Sequence, residues 1–409
     1  MSKNHIKSVF LPDHFIFQSM KQFFITTLVM LCTCLQAISQ NDTIPFLFRG
    51  HLYFQASIND TLNGNIVYDT GGSDIFGVDS VFFAHSSWEP QHLGSAFAPG
   101  AAGVTTIPLI MDATRVTVGN EQISYDYVPI YQLRDIVGCH CDGLMGIKGI
   151  ADQPLEINFE KSILVKHKNG LPDIKGYKRV PIHHDNNRIY IQAEVNIGGT
   201  LVSGWYIMDT GSGGSITYTS KAAEEYHLHS LPGKRELTDH LHFGIGDKQQ
   251  ELSVAMMPDW IVIGSDTIRG KTIDYVPDGA GAFSERAYSG VIGNTIWSKF
   301  NILIDTENEA LYLRRFKEDT PPIPSYDYYF TNRTDIGKGW IVSTLVREGD
   351  AALAGIALGD IILSVNGKNV EDYSWEEEWH VDEVPQQELT IIGPDNKEKK
   401  IRLKAKNRW

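Results

Sequence analysis

Cysteine is scarce, with four in 409 residues, and two of these, Cys32 and Cys34, lie in a leading apolar stretch. Only Cys139 and Cys141 remain beyond it, so a scaffold stapled by several disulfides is excluded and stability must come from buried cores. The Cys-His-Cys run at 139–141 reads as small buried or half-buried residues, with metal binding or a tight local disulfide as the other options. Runs of basic charge are also missing. The net charge is −14, which leaves no basic stripe for a nucleic acid and serves solubility. No long hydrophobic run exists either: Phe23 to Leu35 falls short of the roughly 20 residues that cross a bilayer. Neither a phosphate loop nor a Gly-x-Ser-x-Gly elbow occurs, which removes nucleotide-dependent and serine-hydrolase chemistry.

What the N-terminus does have is Lys21, the apolar stretch, and small residues at Ala37-Ile38-Ser39. This is the pattern of a secretory signal, here residues 1–39 with Met20 as an alternative start. The chain is therefore expected to be exported, to the periplasm, the cell envelope or the medium. No stable membrane span is expected after cleavage; retention of the segment as an anchor is the alternative.

Two stretches of the chain repeat each other in order. LYFQASIN (52–59) matches IYIQAEVN (189–196), and IVYDTGGS (66–73) matches YIMDTGSGGS (206–215). VTVGN (116–120) resembles IVIGS (261–265), and DYVP occurs at 126–129 and again at 274–277. DGLMG (142–146) pairs with SGVIG (289–293), and EINFEKSIL (156–164) echoes LIDTENEAL (303–311). A period near 140 residues is too long for a solenoid unit of about 20–50, so it means two lobes of one fold, at 44–170 and 176–316. Each lobe reads as mainly β, from short runs of alternating hydrophobicity broken by Gly and Asn turns. The clear helix is Ser220 to Tyr226, with Ser220 as its expected cap. A proline-rich linker (317–326) precedes a distinct C-terminal unit (327–409).

The repeat delivers one Asp-Thr-Gly triplet per lobe, at Asp69-Thr70-Gly71 and Asp209-Thr210-Gly211. Peptide hydrolysis without metal needs one group to activate water and another to protonate the carbonyl. Two carboxyls about 3 Å apart can do both, because they cannot both ionise. Two apolar residues preceding Asp-Thr-Gly, with an apolar pair and Gly some 75–85 residues later, resemble the signature of aspartic proteases. Those later pieces are Leu144-Met145-Gly146 and Val291-Ile292-Gly293, and Asn294 opens what resembles the family's following short helix. The likeness covers roughly residues 45–316 and is closer to retropepsin-like units fused in tandem than to pepsin.

The resemblance implies a bilobal double-β-barrel fold and an aspartic endopeptidase needing no cofactor or metal. Asp69 and Asp209 would be catalytic, and Thr70, Gly71, Thr210, Gly211 and Ser212 would support their turns. Ser212 follows the second triplet but Gly72 follows the first, so a hydroxyl bond to Asp209 alone would leave Asp69 the more protonated partner. Pro99-Gly100-Ala101-Ala102-Gly103 is the expected tip of a mobile flap, with Phe243-Gly244-Ile245-Gly246-Asp247 its counterpart. Asn41-Asp42-Thr43 is neither long nor basic enough to fill a cleft, so activity without propeptide removal is expected.

GKGWIVSTLV followed by AGIALGD and VNG resembles a PDZ domain, an α+β unit. In that family the loop corresponding to Gly339-Trp340-Ile341-Val342 takes a peptide's C-terminal carboxylate, and the peptide adds a strand. Residues 371–388 stand at the peptide-groove helix and are unusually acidic and aromatic. Packing or dimerisation is the alternative role. The expected partners are protein or peptide substrates, with a C-terminal peptide at this domain. His183-His184, His227/His229 and His240/His242 invite a zinc reading, but no Glu-bearing helix motif accompanies them. A non-catalytic peptide-binding scaffold is the alternative function for the whole chain.

Overall fold

The computed structural model describes residues 41–409 apart from 73, 148–152, 186, 248–249, 286 and 322–323. The expected signal segment lies outside the described residues. The protein is mainly β, its strands forming a 21-stranded and a 10-stranded sheet. Hydrophobic alternation explains them locally. In Arg188–Ile197 the residues Ile189, Ile191, Ala193, Val195 and Ile197 face inward while Gln192 and Glu194 face solvent. The helix at Ser220–Glu225 starts one residue earlier than expected: Thr219, not Ser220, is the cap, its hydroxyl accepting from the Ala222 amide. Glu224 and Glu225 sit beyond its first turn.

Equivalent strands of the two repeats pair in equivalent ways. Gly143–Met145 runs parallel to Leu62–Tyr68 and antiparallel to Phe76–Asp79, threading between the strands on either side of Asp69. Gly290–Ile292 does the same around Asp209, between Thr200–Met208 and Ile216–Tyr218. The two segments that echo each other last in sequence meet directly, with Leu155–Asn158 antiparallel to Phe300–Asp305. Ile163–Lys166 and then Asp42–Pro45 extend this sheet on one side, Ala310–Arg315 and then Lys178–Asp185 on the other. One apolar core runs through both repeats, from Ile44 to Leu313. The expected start at residue 44 moves to Asp42, whose buried carboxylate accepts from the backbone and side-chain amides of Asn120.

A second core spans Tyr326 to Leu403 and is built around Trp340, Val342, Ile362, Leu389 and Ile391. Its first residue, Tyr326, is buried, and Ser325 bridges to Lys406, so the linker ends before 325 rather than at 326. This unit rests on both repeats. Thr238, Asp239 and His240 of strand Arg235–Leu241 pair antiparallel with Thr344–Val346, and Arg347 grips Asp239 with two bonds of 2.7 Å. Against the first repeat lies the acidic, aromatic helix Trp375–Trp379. The Trp375 indole stacks on His140 with centroids 4.3 Å apart and meets Tyr53 edge-on at 4.9 Å. Glu376 pairs with Arg49, and Glu378 accepts from Asn332 and faces His140. Burial would lower the His140 pKa, but Cys139 and Glu378 raise it to about 9, so the contact carries opposite charges at neutral pH.

Candidate active site

Each aspartate sits just past the end of its strand, its amide held by the threaded strand. The Asp69 N–H donates to Met145 O at 2.9 Å and the Asp209 N–H to Ile292 O at 3.0 Å. The two turns then lock to each other. Thr70 Oγ1 donates to Met208 O at 2.6 Å and accepts from the Thr210 amide at 3.0 Å. Thr210 Oγ1 donates to Tyr68 O at 2.7 Å and accepts from the Thr70 amide at 3.0 Å. Both threonines are fully buried, so each hydroxyl satisfies polar backbone groups that water does not reach. Thr70→Val would leave the Met208 carbonyl and the Thr210 amide unpartnered, at about 1–3 kcal/mol per buried group. We expect a lowered urea midpoint for Thr70→Val, little change for Thr70→Ser, and the same ranking for the two replacements at Thr210.

The glycines serve space rather than a left-handed backbone. A Cβ on Gly71 would lie 2.7 Å from Cγ of Asp209, and one on Gly211 would lie 2.5 Å from Cγ of Asp69. Each triplet therefore lends its glycine as the floor beneath the other's carboxyl, which brings Asp69 and Asp209 within a shared hydrogen bond. Asn294, at the start of the helix Asn294–Trp297, ties the turn down by donating to Thr210 O at 2.7 Å and Gly50 O at 2.8 Å.

Burial raises both carboxyl pKa values. Asp209 is pushed well above the ordinary range by burial and by the charge of Asp69. Asp69 is raised by burial, opposed by the Gly72 amide, the Asp209 carboxyl, the Gly71 amide and the Arg188 guanidinium. Both carboxyls are thus pushed toward holding a proton between them, and the hydroxyl bond expected from Ser212 to Asp209 is not formed. Ser212 Oγ accepts from the Gly214 amide at 3.3 Å, and the Asp209 carboxylate is held by the Gly211 and Ser212 backbone amides. Neither Arg188 nor His51, which lies against the second turn, was singled out from sequence. A signal is present, because each immediately precedes its copy of the matched segment, His51 before LYFQASIN and Arg188 before IYIQAEVN.

The flap is a hairpin of Leu93–Gly100 and Gly103–Ile110, and its tip is docked rather than free. Ala102 is fully buried and its amide donates to Ile245 O at 2.9 Å. Gly100 packs on the same carbonyl, where a Cβ would lie 2.0 Å from the oxygen. The expected mobile lid is closed here by the second repeat's own loop, Phe243 to Asp247. A Cβ at Gly246 would come within 2.2 Å of the Ala102 carbonyl carbon. Gly246→Ala should therefore lift the tip, read as faster hydrogen exchange at the Ala102 amide; unchanged protection would show that the contact does not hold the flap.

The Gly339–Val342 segment is not an open peptide site in this arrangement. Trp340 and Val342 are fully buried, and strand Trp340–Val346 pairs with Tyr328–Asn332 along one edge. Its other edge is filled by Ile361 and Ile362 and then by Thr238–His240 of the second repeat. A ligand strand has no free edge there. The histidine pairs stay apart from one another. His240 bonds Ser253 and approaches Thr344, and burial lowers its pKa to about 4. His183 faces Tyr190 and Glu309, and His227 and His229 contact edge to face. Among the described residues no three His, Cys, Asp or Glu side chains converge on a metal position.

No protein-family model matches the chain, and no curated protein matches it.

Proposed function

We propose that the protein is an exported aspartic-type endopeptidase of bilobal, double-β-barrel, retropepsin-like form, carrying a PDZ-like C-terminal domain. The observation that carries this reading is the facing pair of carboxyls, one from each repeat, held by reciprocal threonine bonds and sharing a hydrogen bond. Their chemistry is a division of labour. Ionised Asp69 takes a proton from a water lying between the carboxyls, and the water oxygen attacks the peptide carbonyl carbon. Protonated Asp209 gives its proton to the carbonyl oxygen, forming a neutral gem-diol. Collapse of the diol breaks the C–N bond as a carboxyl returns a proton to the leaving amine.

The C-terminal unit recruits or positions protein substrates in this reading. Admission of a peptide strand beside Thr344–Val346 requires strand Arg235–Leu241 to leave that edge, since Ile361 and Ile362 hold the edge beside Trp340 and Ile341. Purified protein incubated with an unfolded substrate such as casein, with and without a statine-type mimic of the tetrahedral intermediate, is the test. Inhibitor-sensitive cleavage is expected. Binding of casein without cleavage at any pH from 3 to 8 would favour a peptide-binding scaffold instead.

A further inference from the structure

The repeat that doubles the aspartates also doubles a position beside them, and there the two copies differ in charge. In the first hairpin the outermost matched pair is Tyr53 and Val67; His51 and Asp69 each stand two residues beyond it. In the second hairpin Tyr190 pairs with Ile207, and Arg188 and Asp209 stand two residues beyond. His51 and Arg188 are thus equivalent by register, and each reaches across to the opposite turn. Arg188 Nε donates to Gly71 O at 3.2 Å, beside Asp69. The His51 ring lies against the Thr210 backbone and 3.6 Å from where a Gly213 Cβ would stand, beside Asp209's turn.

We infer that Arg188, set against a neutral His51, breaks the symmetry of the pair and positions the shared proton, making Asp69 the base and Asp209 the acid. The assignment rests on the proposed dyad chemistry and adds to it a positioning residue outside both triplets. A fixed cation nearer one of two paired carboxyls favours ionisation of that one. His51 offers no matching cation, because burial drives its pKa to about 4. The other titratable groups facing the dyad do not select between its members at neutral pH. Tyr68 and Tyr131 adjoin Asp69, Tyr288 adjoins Asp209, and all three phenols are pushed up by burial and stay neutral. Arg188 and Glu285 both act on Tyr288, with opposite sign.

The test is the titration of 13Cγ-labelled aspartates by NMR, assigned with Asp69→Asn and Asp209→Asn, in wild type and Arg188→Gln. In wild type Asp69 is expected to ionise first; in Arg188→Gln its titration moves to higher pH and its lead over Asp209 shrinks or is lost. Arg188→Lys, which keeps the charge, should retain the order, and His51→Gln should not move it. These variants also cover a folding failure in any one. In the peptidase assay the acid limb of kcat/KM should shift to higher pH in Arg188→Gln, with activity on that limb falling several-fold. Asp209 ionising first in wild type, or an unmoved Asp69 titration in folded Arg188→Gln, overturns the inference. Absence of proteolysis with the titration order intact overturns only the endopeptidase reading, so the two failures are distinguishable.

Discussion

Replacing either Asp69 or Asp209 by Asn is expected to abolish peptide hydrolysis, with a loss of about 10⁴-fold, the upper range for removing a general acid or base. The double variant should be no slower than either single one, since the two carboxyls act on one water with one shared proton. Stability should move the other way. The Asp209 pKa is raised in the folded protein, so its favourable contribution is present below the ordinary carboxylate value. That contribution is lost as pH rises toward the folded value. At neutral pH the folded state thus bears a cost that the unfolded chain does not. Asp209→Asn removes it and should melt no lower than wild type at pH 7, the gap closing near pH 4 where the unfolded carboxyl also protonates, at about 3.9. Calorimetry across pH 3 to 8 checks this. Near-normal activity in one single variant would rule out the shared dyad.

The largest expected loss of stability lies away from the cleft, at Arg134. Its side chain is only 12% exposed and bonds three carboxylates: Asp142 at 2.6 Å, Asp335 at 3.1 Å and Asp79 at 3.4 Å. Each acid has a further structural task. Asp79 caps the helix Ser80–His85 through the Val81 and Phe82 amides, Asp142 accepts from the Asn65 amide, and Asp335 belongs to the C-terminal unit and also pairs with Arg333. Removing the guanidinium strands buried negative charge, which costs about 3–5 kcal/mol when one partner of a buried pair is deleted. Arg134→Ala should therefore lower the urea midpoint strongly and release the C-terminal unit, read as new protease-sensitive sites near 317–325. Arg134→Lys keeps the charge but loses the planar fork, and should fall between. A change below about 1 kcal/mol would mean that the acids find other partners, as exposed pairs do.

What the sequence alone determined is what repeats or alternates along it. The β character follows from side chains such as Ile189, Ile191 and Ala193 facing one way and Gln192 and Glu194 the other, a pattern set by the pleat. The two Asp-Thr-Gly triplets stood out because the same context surrounds each. Contacts spanning about 140 residues were settled only by tertiary structure. Thr70 must find Met208, and Leu155–Asn158 must find Phe300–Asp305; no local periodicity encodes that distance. The hydroxyl bond expected from Ser212 to Asp209 is not formed, because a hydroxyl's partner depends on rotamer and on neighbouring amides, here Gly214's. The flap tip was legible as a glycine-rich turn, but its docking on Ile245 depends on how the repeats face each other. The acidic helix Trp375–Trp379 looked anomalous as a ligand groove. Packing explains its composition, since Trp375, Glu376 and Glu378 meet Tyr53, Arg49 and His140 of the first repeat, surfaces that folding alone brings together.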